Sequence, residues 1–489
     1  MSDATDRPGA AGVARPDPAS FRDPGNRVFH HDGRVWRALG ARDAEAYRAV
    51  SATRFWAEAA AAGRVVATRE ASEPHPVGLP VPRPGPGSSW SLVLEHERIP
   101  YLSYPYEWSF SMLADAATLH LDLLLEALRE GVTTKDGYAY NVQFVGSRPV
   151  FIDVGSFEPT TGGPWLGYRQ FCQTFLYPLM LEAHLGVPFQ GLLRGRLEGW
   201  SPTEMRRLLR GRHRLRRGVL RHVVLHSVAE QRIGGGGEAL REDLGRSGFS
   251  SELARATVAN LRKVVGRLRS RRADSAWTAY RHTCTYSGED RAAKETFVEE
   301  ALASRRRALV FDLGANDGAY ARLAARHADW VVALEADDVT VDALYRSLRT
   351  DGPANILPLV MDLTDPSPAR GWRQRERPGF AERARPDLVL ALALVHHLTI
   401  AGNVPLGEVV DWLTGLGDEL VVEFVGPDDP MTERLLANKR PGQHDDYRPE
   451  HFEALLARAG HLLRRKELPG GTRTLYHLAR RDGPGTRDG

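Results

Sequence analysis

The amino-acid sequence predicts an α/β fold whose C-terminal part is a doubly wound, mostly parallel sheet and whose N-terminal part is an α+β arrangement. Three observations carry this. From about residue 277 the short apolar runs RALVFDL, DWVVALEAD, ILPLVMDL, DLVLALAL and DELVVEFV alternate with helix-compatible or polar segments, the pattern of βαβ units with both sheet faces covered. The first run leads straight into a glycine-rich turn, FDLGANDG, and then into a helical pattern, the place where such sheets hold ligands. Before residue 277 a strand pair, a hairpin and one long amphipathic helix follow each other without that alternation. At 489 residues the chain exceeds one ordinary core, and about two to three domains are expected.

Taken in order, residues 1–26 are rich in Pro, Gly and Ala and read as a disordered tail. They lack a basic start followed by an apolar block, and no run of about eighteen apolar residues occurs anywhere; no membrane span and a cytoplasmic location are expected. An α+β domain then covers 27–232. RVFHHDGRVWRAL alternates like a strand pair, Ala41 to Gly63 has helical spacing, and Glu73 to Ser89 is a Pro/Gly-rich loop. WSLVLEHERIPYLS reads as a strand and turn, and Trp108 to Gly131 as a long helix ended by glycine. VQFVGSRPVFID is a hairpin turning at Gly146 and Ser147. Residues 233–276 read as a helical linker, with a flexible joint at Gly234 to Gly237 and basic helices over about 250–272. The last domain spans 277–480, RTLYHLA adding a late edge strand, and 481–489 is a second tail.

Charge and cysteine content narrow the chemistry little. A net charge of +3 selects no partner. Met205 to His222 is locally basic, but no aromatic residues interleave with its arginines, so it reads as a solvated helix face and nucleic acid is not an expected partner. Cys172 and Cys284 are the only cysteines; they exclude a disulfide framework and a cysteine zinc site, and no metal site is expected.

FDLGANDG places Asp312 at a strand end, Gly314 in a tight turn and Gly318 where the helix meets the strand, while Asn316 stands at the middle position of the usual glycine triplet. It is therefore not the strict phosphate-gripping GxGxxG of dinucleotide sites. Glu335 ends the second strand near the ~20-residue offset at which a carboxylate can accept both ribose hydroxyls. Asp362 ends the third. These residues resemble class I S-adenosylmethionine-dependent methyltransferases over about residues 277 to 480. The resemblance implies a Rossmann-like methyltransferase sheet with S-adenosyl-L-methionine as cofactor. It places Asp312, Gly314, Asn316 and Gly318 at the methionine part, Glu335 on the ribose, and Asp362 with Leu363 on the adenine. Upstream, Trp277, Tyr280, Tyr286 and Lys294 resemble the helix covering the cofactor; a packing helix explains them equally well.

Methyl transfer from a sulfonium needs in-line placement of the nucleophile and, for hydroxyls or amines, a base. His396 and His397, just past the fourth strand, and Glu423, inside the fifth, are the catalytic candidates, an imidazole of ordinary pKa being the natural base. A histidine there also serves as a helix cap, and Glu423 in so apolar a strand requires either a partner or an active-site role. Asp446 and Tyr447 lie in a long connection that reads either as a lid or as a solvated loop.

In the N-terminal domain, KDGYAYNVQFVGSRPVFIDVGSF resembles a kinase-type catalytic loop: Asp136 as base, Asn141 five positions on, and Asp153 after the hairpin. No lysine precedes Lys135, so the strand lysine that grips nucleotide phosphates is absent unless Arg37 substitutes imperfectly, and no GxGxxG precedes the loop. A degenerate kinase-like domain follows. SYPYEWSFSML, KDGYAYNVQF and FIDVGSF ahead of DLGANDG together resemble the nodulation-protein-like methyltransferases over most of the chain. That implies methyl transfer to a small-molecule or saccharide intermediate of bacterial secondary metabolism or polysaccharide biosynthesis. Two alternatives stand beside it: a repurposed fold catalysing another displacement or cyclisation, and active phosphotransfer. A partner subunit or a homodimer is compatible with each.

Overall fold

The computed structural model describes residues 14–71, 90–233, 251–272 and 287–481. The Pro/Gly-rich loop at 73–89, Gly234 to Gly237, Trp277, Tyr280, Cys284 and Tyr286 lie outside them. The chain divides into two compact units: 1–145, 149–273 and 369–378 form the first, and 146–148, 274–368 and 379–489 the second.

In the first unit β1 (Arg15–Pro16), β2 (Asn26–His31), β3 (Arg34–Leu39), β4 (Thr68–Glu70) and β5 (Leu92–His96) form an antiparallel sheet in the order β1-β2-β3-β5-β4. The expected tail is thus partly folded. Arg15 and Pro16 pair with His30 and Phe29, because Ala14 is buried against Phe29, Trp36, Ala38 and Val93. The helical stretch Ala41 to Gly63 is two helices, Ala41–Ser51 and Arg54–Ala61. Thr53 separates them and caps the second by accepting the Trp56 amide at 3.2 Å.

Helix Phe110–Arg129 is capped by Ser109 and followed by Gly131 at φ +74°, and its apolar stripe is buried. Against it packs helix Ser251–Val265, through Ala254, Val258, Leu261 and Val265 and an Arg262–Asp122 ion pair of 2.7 Å. The expected linker of 233–276 therefore contributes a structural helix to this unit: its amphipathic stripe buries more favourably than it solvates. β6 (Val132–Thr134) pairs with β9 (Phe157–Pro159), and β7 (Val142–Val145) with β8 (Arg148–Phe151) across the turn at Gly146 and Ser147.

The second unit is built on β10 (Arg307–Leu313), β11 (Ala328–Glu335), β12 (Ile356–Val360), β13 (Leu388–Ala391), β14 (Glu419–Val425), β15 (Gly460–Glu467) and β16 (Arg473–Arg480), in the order β12-β11-β10-β13-β14-β16-β15. The five apolar runs are the five parallel strands, buried along most of their length. RTLYHLA is not an edge strand. It is β16, inserted antiparallel between β14 and β15, with Leu475, Tyr476 and Leu478 in the core. The edge is β15, whose HLLRRKE pattern leaves most side chains outward; without a buried stripe it carries little strand signal.

Candidate active site and its relatives

Sheet order changes direction at β10, whose neighbours are β11 on one side and β13 on the other. Ligands of open α/β sheets bind in the crevice at the carboxyl ends of strands flanking such a point. Gly314 (φ +76°), Asn316 (φ +48°) and Gly318 (φ +79°) turn the chain from β10 into helix Ala319–Ala324. Asparagine tolerates the left-handed region better than most residues. At Gly318 a Cβ would stand 2.6 Å from a terminal methyl of Leu344, which would have to move aside, and the positive φ itself favours glycine.

Asp312 is buried, and its Oδ2 has no hydrogen-bond partner. Burial pushes its carboxyl up to about 7; the Lys294 ammonium opposes that rise and Glu335 adds to it. An orphaned buried oxygen is costly unless something fills its acceptor capacity. Glu335 is held differently. Its Oε2 accepts the Asn316 amide at 3.0 Å and its Oε1 the amides of Ala336 (2.7 Å) and Asp337 (3.1 Å), which fastens the end of β11 to the glycine loop. Burial raises its pKa against these three bonds. Asp362 is exposed, its Oδ1 accepting the Thr364 amide (2.9 Å) and hydroxyl (2.7 Å), with Leu363 half-buried beside it.

Past β13, His396 is buried with Nδ1 unpartnered and its ring 4.2 Å from that of His397. The Thr399 hydroxyl, in the π-helical turn His397–Ala401, is likewise buried without a partner. Neither imidazole keeps an ordinary pKa. His396 lies well below it through burial and then the charges of His397, Arg473 and Lys294, and His397 is lowered by burial. Both are neutral near pH 7, the form a proton acceptor needs.

Glu423 is fully buried and has partners. Lys294 Nζ, from helix Gly288–Ala303, donates to its Oε2 at 2.6 Å, and Arg473 Nη1 lies 3.6 Å from its Oε1. Arg473 in turn forks onto Asp429 at 2.7 and 3.1 Å. Glu423 is therefore a member of an alternating Lys-Glu-Arg-Asp chain. Arg473 and Asp429 were hidden in sequence because one opens a strand and the other looks like a cap, which it also is: Asp429 Oδ1 accepts the Met431 amide. Tyr447 is anchored inside, its hydroxyl donating to the Val425 carbonyl at 2.9 Å and its ring stacked on Phe424.

In the first unit, Asp136 Oδ1 accepts from Asn141 Nδ2 at 2.5 Å and from Ser156 Oγ at 3.1 Å. Burial and then Asp153 push its pKa up to about 7, opposed by Ser156, Asn141 and Lys135. Arg37 occupies Asp153, Nη1 to Oδ1 at 2.9 Å, and spends its other contacts on Asn26 Oδ1 (2.7 Å), His96 Nε2 (3.1 Å) and the Ile152 carbonyl (3.5 Å). The two loop acids and the amide are together, but four of the five guanidinium N–H donors are already used within the fold. Gly155 makes room for it: a Cβ there would stand 2.1 Å from Asn26 Nδ2 and 3.1 Å from Arg37 Nη1.

No protein-family model matches the chain. Among solved structures it is similar to N-methyltransferase NodS from Bradyrhizobium japonicum WM9 in complex with S-adenosyl-L-homocysteine, with 13% identity over 43% of this chain and 100% of that one and a TM-score of 0.30. It is also similar to magnesium protoporphyrin IX methyltransferase ChlM from Synechocystis PCC 6803 with bound S-adenosyl-L-homocysteine, with 14% identity over 42% and 94% and a TM-score of 0.30. Nodulation protein NoeA of Rhizobium meliloti (strain 1021) is 36% identical over 471 residues, 94% of this chain and 95% of that protein. The chain belongs to the NoeA family of nodulation proteins.

Proposed function

We propose that the second unit transfers a methyl group from S-adenosyl-L-methionine to a small-molecule or saccharide pathway intermediate. The observation that carries this is the buried, unfilled Oδ2 of Asp312 at the topological switch point, beside a left-handed glycine loop tied to Glu335. Those residues fit the cofactor: an acceptor oxygen for a donor on its methionine part, a carboxylate at the offset for ribose hydroxyls, and Asp362 with Leu363 at the third strand end for the adenine. Bound there, S-adenosyl-L-methionine supplies an activated methyl group. The chain's own residues bind and orient it, keep water out of a crevice walled by apolar strands, and offer neutral His396 or His397 to take the acceptor's proton. Glu423 holds Lys294 and Arg473 in place. We read the protein as a cytoplasmic enzyme acting on a small molecule.

For the first unit we propose a degenerate kinase-like module that positions a ligand or the chain itself, because four of the five N–H donors of Arg37 are directed at Asp153, Asn26, His96 and the Ile152 carbonyl and away from any phosphate. One calorimetric titration of the full-length protein against S-adenosyl-L-methionine and against Mg-ATP tests both. Cofactor binding that Glu335→Ala weakens by about tenfold or more is expected, because the variant loses a ribose acceptor on Oε2 together with the three amide bonds that tie the glycine loop to β11, each bond being worth about 0.5–1.5 kcal/mol. Unchanged affinity in that variant sinks the methyltransferase assignment, and Asp153-dependent Mg-ATP binding would restore phosphotransfer.

A further inference from the structure

Between Glu204 and Glu230 no acidic residue occurs, while eight arginines do. Helix Pro202–Leu208, the 3-10 turn Gly211–Leu215 and the helix that runs from Arg217 to Ile233 pack on one another around buried Leu209, Val219, His222 and Val223. Two arginines serve that packing: Arg214 donates to the carbonyls of Leu209 (3.1 Å) and Arg206 (3.0 Å), and Arg206 to the Ser227 hydroxyl (3.2 Å). The other six, Arg207, Arg210, Arg212, Arg216, Arg217 and Arg221, are exposed; Arg210 donates to the Arg207 carbonyl (2.8 Å) and Arg216 to His184 Nδ1 (3.1 Å), and within the described residues none of the six meets a carboxylate.

Leucines stand between them in water: Leu215 is 82% exposed, Leu225 57%, Leu220 44% and Leu208 38%. A solvated basic face has no use for four open leucines. A nucleic-acid face has none either; it needs aromatic platforms for the bases, and residues 205–229 contain no Phe, Tyr or Trp. An anionic lipid surface takes both features, because headgroup phosphates accept the guanidinium fork while leucine side chains enter the acyl boundary. We propose that this face docks the protein peripherally on an anionic lipid membrane, the arginines on lipid phosphates and the leucines inserted beneath them. No described helix is long and apolar enough to cross a membrane.

The test is co-sedimentation of the full-length protein with vesicles of phosphatidylcholine alone and of phosphatidylcholine with phosphatidylglycerol in about a 3:1 ratio. Two triple variants accompany it: Leu215→Gln/Leu220→Gln/Leu225→Gln and Arg212→Gln/Arg217→Gln/Arg221→Gln, their melting curves checked against the parent. Binding to the anionic vesicles only is expected. It should weaken by about a hundredfold in the arginine variant and by about tenfold in the leucine variant, and inorganic phosphate should not compete. Absence of binding to anionic vesicles overturns the proposal. So does full binding by the leucine variant, or tighter binding of a fluorescent single-stranded RNA oligomer than of the vesicles.

Discussion

At the scale of single residues, burial sets what each group can do. Asp312 sits where sequence spacing puts it, but its pKa of about 7 comes from enclosure, which spacing does not encode. Above that pH the carboxylate accepts hydrogen bonds; below it, a proton occupies the acceptor. Affinity for S-adenosyl-L-methionine should therefore fall as pH drops from about 8 to 6, and Asp312→Asn should bind more weakly with that dependence flattened; titration calorimetry across the range checks both. The same enclosure explains why the histidines departed from expectation. A strand-end imidazole looks ordinary in sequence, yet His396 lies inside a shell containing His397, Lys294 and Arg473 that disfavours its charged form. Glu423 shows the reverse. Its apolar strand announced a partner or a function, and three-dimensional pairing with Lys294 and Arg473 supplied the partner.

At the scale of elements, strands with continuous apolar runs and the helix Phe110–Arg129 were legible because burial on one or both faces writes itself into periodicity. β15 was not, having almost no buried stripe, and the place of β16 inside the sheet depends on pairing that no local pattern reports. Helix Phe110–Arg129 also hides a liability. His120 is buried with both ring nitrogens unpartnered, among the rings of Phe151, Trp165, Phe171 and Phe175. Burial lowers its pKa to about 3 from 6.5. The unfolded chain thus binds the extra proton first as pH falls: stability is full above about 6.5 and declines between there and about 3. His120→Leu should raise stability at pH 7 by roughly 1–2 kcal/mol, by removing two unsatisfied atoms at a small cost in shape. It should also flatten that acid limb, as denaturant melts at several pH values will show.

At the scale of the whole molecule, the change from mixed elements to βα alternation was visible in sequence, whereas the assignment of 369–378 to the first unit was not. If the cofactor site is the crevice beside β10, saturating S-adenosyl-L-methionine stabilises the unit that holds it, by about 2.7 kcal/mol at a hundredfold excess over Kd. Hydrogen exchange should slow most in the amides of β10, β11 and β13, and a uniform or absent effect would place the ligand elsewhere. The excursion 369–378 bears on how the chain can be divided for separate expression. Within the first unit, Glu376 is held by Arg22 at 2.5 Å, Arg370 donates to the Gly195 carbonyl at 3.0 Å, and the Arg377 guanidinium lies 3.7 Å from the centre of the Tyr140 ring. A truncation that starts at residue 274 deletes every one of those partners while keeping the ten residues that need them. Separate expression of the C-terminal half accordingly calls for replacing 369–378 with a short turn, because the two units do not come apart at a single cut in the chain.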